Sequence, residues 1–341
     1  MQLEVVIDGR PLVGNRTGIG VHTAEIARRL DVVPPPLIGS HAEIADRSGL
    51  EGCRFLADRY PLGVMWQQMA LPHIEGDVVW GPHGTLPLAL RRPAVVTIHD
   101  FTSITMPGRH LLKTILSFNL FIGRSLEMAA RVAAVSRAAA DETMRGFGVP
   151  ASKIELVPNG VDEFFTPGGE EGDYLLYAGT LEPRKGVDDL LAVWRSLAAP
   201  RPRLLLAGDA GWRTRVRAEN GVEVLGFVSR ERLRDLYRSA LLFVYPSHSE
   251  GFGLPPLEAL ACGAPVVATR TGAIPDFAGD AALLVPPGSR HALREAVVRV
   301  LTDAALRREL RLRGPERARL YRWDQSARTM TRLLAEAAQC G

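Results

Sequence analysis

Short apolar runs of strand length alternate with amphipathic stretches of helical length along the whole chain. The runs that we interpret as strands are rich in Val, Ile and Leu and include residues 4–7, 77–80, 93–98, 131–136, 174–179, 204–209, 241–245 and 264–269. The longer stretches, such as residues 21–30, 230–239 and 326–338, have helical spacing of their apolar positions. Buried strands that alternate with helices predict an α/β fold built on parallel sheets.

One strand–loop–helix unit of this pattern stands out, at residues 241–269. Its helix opens on Pro255 and Pro256, where the fixed φ and the missing N–H of proline cost nothing. Gly263 ends the helix, and the next apolar run follows at once. In such units the loop lies over the carboxyl ends of parallel strands, where ligands bind.

The loop of this unit combines groups that bind anions with groups that accept hydrogen bonds. Gly251 and Gly253 let the backbone approach a ligand, and the free N–H groups of the helix start favour a phosphate. Glu250 and Glu258 are repelled by phosphate, so we expect them to accept hydrogen bonds from neutral hydroxyls. A ligand with phosphates and many hydroxyls is a nucleotide sugar. The alternative is that Glu258 complements the helix dipole and that Glu250 is a solvated charge.

Other strand ends carry further candidate ligand residues. Arg184 and Lys185 form a candidate pyrophosphate clamp, since a guanidinium forks onto oxygens and an ammonium supplies a point charge. As an isolated pair they are also typical of solvated surface charge. Gly18 and Gly20 precede a helix and let phosphate or sugar approach, although such glycines often serve only tight turns. His99 ends a strand, and on position alone it is open between a structural and an active-site role.

Composition favours an ordered protein of two domains. The 341 residues suit two domains, and 46% hydrophobic with 23% charged residues can bury two cores. A net charge of +3 gives no reason to expect nucleic-acid binding. Three widely spaced cysteines indicate a reducing, cytoplasmic setting without a disulfide framework or zinc site. We expect no signal peptide, because the chain enters a strand at once, and no apolar run approaches the ~20 residues that span a bilayer.

The spacing of the two glutamates carries a family resemblance. Glu250, seven residues and then Glu258, around Gly-Phe-Gly-Leu-Pro, resembles the signature of retaining glycosyltransferase family 4. The pair His99-Asp100 resembles its mannosyl- and rhamnosyltransferase-like members. This resemblance implies the GT-B fold, with two Rossmann-like doubly wound domains facing a central cleft. We expect an acceptor domain at 1–162, a hinge at 163–172 and a donor domain at 173–322. The last helix, at about 323–341, is expected to pack back on the first domain.

The resemblance also implies a role for each candidate residue. His99 and Glu250 are the expected catalytic residues. The donor phosphates are assigned to Arg184, Lys185, Gly18, Gly20, Gly253 and Leu254. The donor sugar is assigned to Glu250, Gly251, Phe252 and His99. The nucleoside is assigned to Glu258, Gly226, Phe227 and Val228, and Asp100 and Ser136 are weaker candidates. His83 is interpreted as a turn residue, and the role of His22 is left open.

The implied activity is transfer of a hexose from a nucleoside-diphosphate sugar, with a GDP-mannose-like donor favoured, to a glycan, lipid-linked or small-molecule acceptor. The resemblance implies retention of configuration. No cofactor or metal is expected, because two cations and a helix start can stabilise the departing diphosphate and the chain has no Asp-x-Asp motif. The alternatives are a sugar-nucleotide epimerase or hydrolase, and a non-catalytic nucleotide-sugar module. An NAD-dependent oxidoreductase is disfavoured, because Gly18 and Gly20 are not followed by a third glycine at the dinucleotide spacing.

Two segments rich in basic residues are expected to expose their charges to solvent. The helix at 109–131 is expected to face the core with solvated basic residues, and the alternative is peripheral contact with anionic lipid at the inner face of the membrane. The arginine-rich run at 307–319 is expected to be a solvated helix face.

Overall fold

The computed structural model describes residues 2–14, 18–105, 112–209, 216 and 219–340, with the backbone alone for residues 112–117. The chain divides into two compact units, one made of Met1–Gly160 with Trp323–Gly341 and the other of Val161–Arg322. The predicted boundary lay at 162, and the predicted hinge at 163–172 belongs to the second unit. Arg109 and residues 15–17, which precede Gly18, lie outside the described residues.

The first unit is built on a seven-stranded parallel sheet with the order β3-β2-β1-β4-β5-β6-β7. Its strands are β1 (Val5–Asp8), β2 (Leu37–Ser40), β3 (Arg54–Ala57), β4 (Val78–Gly81), β5 (Ala94–Ile98), β6 (Arg131–Ala134) and β7 (Ile154–Leu156). Its first helices are α1 (Gly18–Ala27), α2 (Gly63–Met69), α3 (Thr102–Thr105), α4 (Leu112–Met128) and α5 (Arg137–Phe147). The central strands β1, β4 and β5 are buried at every position, as their continuous apolar runs predict.

The second unit repeats this plan with a six-stranded parallel sheet of the order β10-β9-β8-β11-β12-β13. Its strands are β8 (Tyr174–Ala178), β9 (Arg203–Ala207), β10 (Val222–Gly226), β11 (Leu242–Tyr245), β12 (Val266–Thr269) and β13 (Leu283–Val285). Its helices are α6 (Val187–Arg195), α7 (Arg230–Ser239), α8 (Leu254–Ala261), α9 (Ile274–Ala278), α10 (Arg290–Thr302) and α11 (Ala304–Ala318).

Each sheet has a point where the strand order reverses. In the first unit it lies between β1 and β4, and in the second between β8 and β11. The loops that leave two such strands run to opposite faces of the sheet, and the crevice between them is where doubly wound proteins bind ligands.

The C-terminal helix α12 (Trp323–Ala338) belongs to the first unit. Its buried face includes Trp323, Met330, Leu333, Leu334 and Ala337, and it packs on α1, β4, β5 and β6. The hydroxyl of Ser326 donates to the backbone carbonyl of Pro158 in the same unit. The last helix therefore completes the core of the unit that begins the chain.

The arginine-rich helix α11 corrects one expectation. Its basic run was predicted to be a solvated face, but three of its arginines donate to backbone carbonyls inside the second unit. Arg307 Nη1 reaches Val300 O at 2.9 Å, Arg311 Nη2 reaches Ala240 O at 2.7 Å, and Arg317 Nη2 reaches Asp276 O at 2.7 Å. The guanidinium groups satisfy carbonyls left open at helix and loop ends, a role that charge density alone does not reveal.

Candidate active site

The switch point of the second unit brings the predicted clamp lysine and the loop glutamate together. Lys185 Nζ lies 2.6 Å from Glu250 Oε1, and Arg184 Nη1 lies 3.9 Å from the same oxygen. Lys185 ends a 3₁₀ turn after β8, and Glu250 lies in the loop after β11, so the strand order explains their meeting. Lys185, which was assigned to the donor phosphates, and Glu250, which was assigned to the donor sugar, therefore form an ion pair with each other in the structure.

Tyr245, the last residue of β11, joins this pair. Its hydroxyl donates to Glu250 Oε1 at 2.9 Å and accepts from Lys185 Nζ at 3.2 Å. The ring is buried and stacks on Tyr177 and Phe243, with centroids 6.0 Å apart in both cases. Tyr245 was not among the predicted site residues, because in sequence it reads as the last member of an apolar strand.

Hydrogen bonds to backbone carbonyls connect the loop after β8 with the loop after β11. Arg184 Nη1 donates to Ser249 O at 2.8 Å, and the backbone N–H of His248 donates to Arg184 O at 2.8 Å. The hydroxyl of Thr269 donates to Ser247 O at 2.5 Å. These bonds hold the cations and the carboxylate on a rigid frame.

The charge state of Glu250 follows from its neighbours. Burial disfavours the carboxylate, but the charges of Lys185 and Arg184 outweigh burial and lower the pKa of Glu250 below its usual value. Glu250 is therefore ionised at neutral pH and can accept hydrogen bonds from hydroxyl groups.

The glycine-rich loop and the start of α8 follow Glu250. Gly253 has φ +93°, a conformation that favours glycine, and it caps α8 directly before Leu254. Gly251 lies two residues earlier in the same buried loop. The side chain of Phe252 is buried against Phe277, with centroids 5.4 Å apart. Of the predicted sugar-binding groups, Phe252 therefore offers its backbone, since its ring belongs to the core.

Glu258 lies on the second turn of α8, where its Oε2 accepts a hydrogen bond from Tyr237 Oη at 3.2 Å. Burial raises the pKa of Glu258 to about 7, and the bond from Tyr237 and the charge of Arg230 counteract only part of this effect. Asp162 adds a like charge nearby. Glu258 therefore changes its charge within the physiological range.

The predicted nucleoside segment lies at the end of β10. Gly226 has φ +65°, and its amide oxygen accepts from the N–H of Gly208 at 2.8 Å. The ring of Phe227 is 73% exposed, and Val228 is half-buried. The segment is thus an exposed turn with a free aromatic face.

In the first unit, His99 directly follows β5 and is held in one tautomer. Its Nε2–H donates to the carbonyl of Pro82 at 2.9 Å, which leaves Nδ1 as a hydrogen-bond acceptor. Burial lowers the pKa of His99, although the Pro82 carbonyl and the charge of Asp100 act in the opposite direction. At neutral pH the ring is neutral.

The weaker candidates of the first unit cap helices. Asp100 Oδ1 accepts from the N–H of Thr102 at 3.0 Å and from its hydroxyl at 2.6 Å, at the start of α3. Ser136 Oγ accepts from the N–H of Ala139 at 3.0 Å and caps α5. These bonds give both residues a structural role without a ligand. Gly18 and Gly20 lie in the first turn of α1, and the loop before them is outside the described residues.

His22, whose role the sequence left open, is buried behind His99. Its Nδ1–H donates to Asn159 Oδ1 at 2.7 Å, and its ring meets that of His99 edge-on at 4.8 Å. Burial and the neighbouring His99 lower the pKa of His22 well below its usual value. His22 supports the ring of His99 from within the core.

Sequence reasoning missed a polar cluster at the switch point of the first unit. Asp8, at the end of β1, is fully buried and accepts from Arg10 Nη2 at 2.7 Å and from Gln67 Nε2 at 3.1 Å. Arg10 Nη2 also donates to Thr85 Oγ1 at 3.2 Å. Burial and the charge of Arg10 lower the pKa of the neighbouring His83 to about 4, so this turn histidine is neutral. The signal that could have found the cluster is a carboxylate at the carboxyl end of the first strand.

The described residues contain no group of three or more His, Cys, Asp or Glu side chains that could hold a metal ion. Within the same residues, no helix combines the length and the apolar character needed to cross a bilayer.

Two doubly wound parallel sheets are the architecture of the GT-B glycosyltransferases, and the comparisons with known proteins place the chain in this class. The model for "Glycosyltransferase Family 4" matches residues 54–163, and that for "Glycosyl transferases group 1" matches residues 162–317. The chain belongs to glycosyltransferase family 4 and is a hexosyltransferase.

Two relatives are similar to this chain in sequence. The O-antigen chain mannosyltransferase B of Escherichia coli is 29% identical in an alignment of 369 positions, which covers 94% of this chain and 97% of the relative. The D-inositol 3-phosphate glycosyltransferase of Xylanimonas cellulosilytica is 30% identical in an alignment of 250 positions, which covers 64% of this chain and 60% of the relative.

Solved structures share the fold. Anabaena HepE, crystallised with UDP and glucose, superposes with a TM-score of 0.78 at 21% identity and covers 98% of this chain and 99% of its own. The lipopolysaccharide glycosyltransferase WaaG superposes with a TM-score of 0.76 at 16% identity, with the same coverage of both chains.

Proposed function

We propose that this protein transfers a hexose, with mannose favoured, from a nucleoside-diphosphate sugar to a glycan, lipid-linked or small-molecule acceptor, with retention of configuration and without a metal ion. The observation that carries the proposal is the meeting of Lys185, Arg184 and Glu250 at the switch point of the second unit. Mannose is favoured because the mannosyltransferase relative matches nearly the whole chain. Retention is proposed from the family resemblance.

Two cations and a helix start supply the charge that the leaving group requires. Lys185 and Arg184 bind the diphosphate as negative charge develops on it, and the N–H groups of Gly253 and Leu254, which precede the two prolines of α8, add the positive end of the helix dipole. This preorganised set replaces a divalent cation in the reaction. Because the two loops are tied together, the cations need no rearrangement of backbone to act.

The carboxylates and His99 orient the sugars. Glu250 accepts a hydrogen bond from a hydroxyl of the donor sugar and offsets positive charge at the anomeric carbon. Glu258 accepts from the ribose hydroxyls, and the exposed turn at 226–228 receives the base. His99, neutral and with Nδ1 open as an acceptor, binds a hydroxyl of the transferred sugar.

A thermal-shift panel of GDP, UDP, GDP-mannose and UDP-glucose tests the donor assignment, since a ligand that binds the folded state raises the Tm. We expect GDP and GDP-mannose to give the largest shifts. GDP release from GDP-mannose is then measured with and without methyl α-mannoside. Release that requires the mannoside supports transfer, whereas equal release without it indicates a hydrolase. No Tm shift with any nucleotide contradicts the proposal.

We also propose a cytoplasmic enzyme with peripheral membrane contact through α4. Cys53, Cys262 and Cys340 are free thiols, which suits a reducing compartment. On α4, Leu120 is 73% exposed and lies one turn from the exposed Arg124, which pairs with Glu127 at 2.9 Å and would exchange this partner for anionic lipid. Vesicle sedimentation should recover more protein with anionic than with neutral vesicles, and equal recovery contradicts the contact.

A further inference from the structure

The hydroxyl of Tyr245 lies at the centre of the donor site, between a cation and an anion. It donates to Glu250 Oε1 at 2.9 Å and accepts from Lys185 Nζ at 3.2 Å, while Lys185 and Glu250 are themselves 2.6 Å apart. The three groups form a closed triangle, in which each one contacts both others. A ligand that draws Lys185 away breaks its two sides of the triangle and leaves only the bond from Tyr245 to Glu250.

We propose that Tyr245 is a positioning residue for transfer: its hydroxyl keeps the Glu250 carboxylate in place while the donor diphosphate takes Lys185. This inference rests on the proposed function. The side chain of Glu250 is 8% exposed, so losing its closest donor leaves a nearly buried charge with poorer compensation. The hydrogen bond from Tyr245 remains through the exchange and leaves the other lone pairs of Glu250 for a sugar hydroxyl.

The surroundings of Tyr245 fix this hydroxyl in space. Its ring is 1% exposed and is stacked between Tyr177 and Phe243, with interplanar angles of 14° and 18°. The residue ends a central strand, so its backbone is held by the sheet. Burial raises the pKa of Tyr245 well above its usual value, and the hydroxyl therefore stays a donor at every working pH.

Tyr177 provides a matched control within the same stack. It is also fully buried, and its hydroxyl donates to the carbonyl of Thr180 at 3.0 Å instead of to Glu250. Tyr177→Phe and Tyr245→Phe each remove one buried hydroxyl and keep the ring. Loss of stability alone should affect the two variants alike.

The experiment compares both variants with the wild type in GDP binding by calorimetry and in the kinetics of GDP release from GDP-mannose with methyl α-mannoside. For Tyr245→Phe we expect kcat to fall by about tenfold or more, because one hydrogen bond to a charged group is lost. Its Kd for GDP should stay within about twofold, because Lys185 and Arg184 remain. Tyr177→Phe should change neither kcat nor the Kd for GDP by more than about twofold. Its Tm should fall by about as much as that of Tyr245→Phe.

The outcomes separate this inference from the proposed function. Equal kcat losses in the two variants, or a loss of GDP affinity in Tyr245→Phe that accounts for its rate, overturn the positioning role alone. Absence of both GDP binding and GDP release in the wild type overturns the proposed function and the positioning role with it.

Discussion

At the residue scale, Glu250 shows how one carboxylate serves two states. Without a ligand it is the counter-charge that lets Lys185 lie in a site largely shielded from water. In the proposed donor complex, phosphate takes Lys185 and Glu250 accepts a hydrogen bond from the sugar. In the ligand-free site, burial opposes ionisation, but the charges of Lys185 and Arg184 lower the pKa of Glu250 and keep it ionised.

Glu250→Ala should therefore separate binding from chemistry. We expect kcat for GDP release with methyl α-mannoside to fall by about 100-fold or more, since a charge aligned with the transition state is removed. The Kd for GDP should not rise, because Lys185 is released from its partner. Glu295→Ala, at a carboxylate 65% exposed on α10, is the control. A Glu250→Ala enzyme with wild-type kcat contradicts this role.

Glu258 gives the donor site a pH dependence. Its pKa is raised to about 7, so the carboxylate is protonated below this pH and ionised above it. In the proposed complex Glu258 accepts hydrogen bonds from the ribose hydroxyls, and its ionised form is the stronger acceptor, so affinity should rise as the pH rises through about 7. The raised pKa of Glu258 has the opposite effect on the free energy of unfolding. Its contribution to stability is present at low pH and is lost as the pH rises through about 7, because the buried carboxyl group then becomes charged.

GDP-mannose is the suitable probe, because its esterified phosphates do not titrate near neutrality. Calorimetry should show a Kd about tenfold weaker at pH 6 than at pH 8, as expected when the competent fraction changes by that factor. Glu258→Gln should flatten this profile. A wild-type Kd that is constant between these pH values excludes a titrating Glu258 in the site.

At the element scale, the donor loop depends on a neighbouring turn. Gly272 follows β12 with φ +55°, and a Cβ built there would lie 2.4 Å from the carbonyl oxygen of Glu250 and 2.6 Å from that of Gly251. Contacts this short force backbone to move. The turn at Gly272 therefore packs directly against the backbone of the loop that contains Glu250.

Gly272→Ala should displace the donor loop and weaken GDP binding by more than about tenfold. Gly148→Ala is the control, because Gly148 has φ +66° but a Cβ there meets nothing within 4 Å. The free energy of unfolding of Gly148→Ala should fall by about 1 kcal/mol, because alanine disfavours this φ, and its affinity for GDP should stay that of the wild type. Calorimetry and urea unfolding measure both effects, and equal affinities in the two variants contradict the account.

Much of the element scale could be predicted from the sequence. The central strands are unbroken apolar runs, α8 has prolines in its first turn, and α7 has the extent that its sequence indicates. The local sequence pattern does not reveal contacts between residues that are far apart in the chain. Tyr245 and Lys185 are 60 positions apart, and the contact between Asp8 and Gln67 spans 59. The half-buried arginines of α11 were missed because their acceptors are backbone carbonyls, which no residue type in the sequence marks.

At the scale of the whole molecule, the first unit is assembled from both ends of the chain. The helix α12 buries Leu334 and Met330 completely, in a core whose strands precede it by more than half of the sequence. Its amphipathic pattern predicts a helix, and the resemblance to family 4 supplied its place. Periodicity alone does not say which core a helix covers.

Leu334→Ala should lower the free energy of unfolding by about 2–5 kcal/mol, because it leaves a cavity in that core. Leu312→Ala, at a side chain 73% exposed on α11, should change it by less than about 0.5 kcal/mol. Urea unfolding followed by circular dichroism measures both variants. Similar losses in the two would mean that α12 does not stabilise the first unit.

The central claim is that Lys185 binds the diphosphate of the donor, and calorimetric titration of GDP into the wild type and Lys185→Ala tests it most directly. The control is Arg195→Ala, at a cation 55% exposed that pairs with Glu219 on the surface of the same unit. We predict a Kd about 10–100-fold weaker for Lys185→Ala, the value of one charge-assisted hydrogen bond, and within about twofold of wild type for Arg195→Ala. Wild-type GDP affinity in Lys185→Ala would contradict the account.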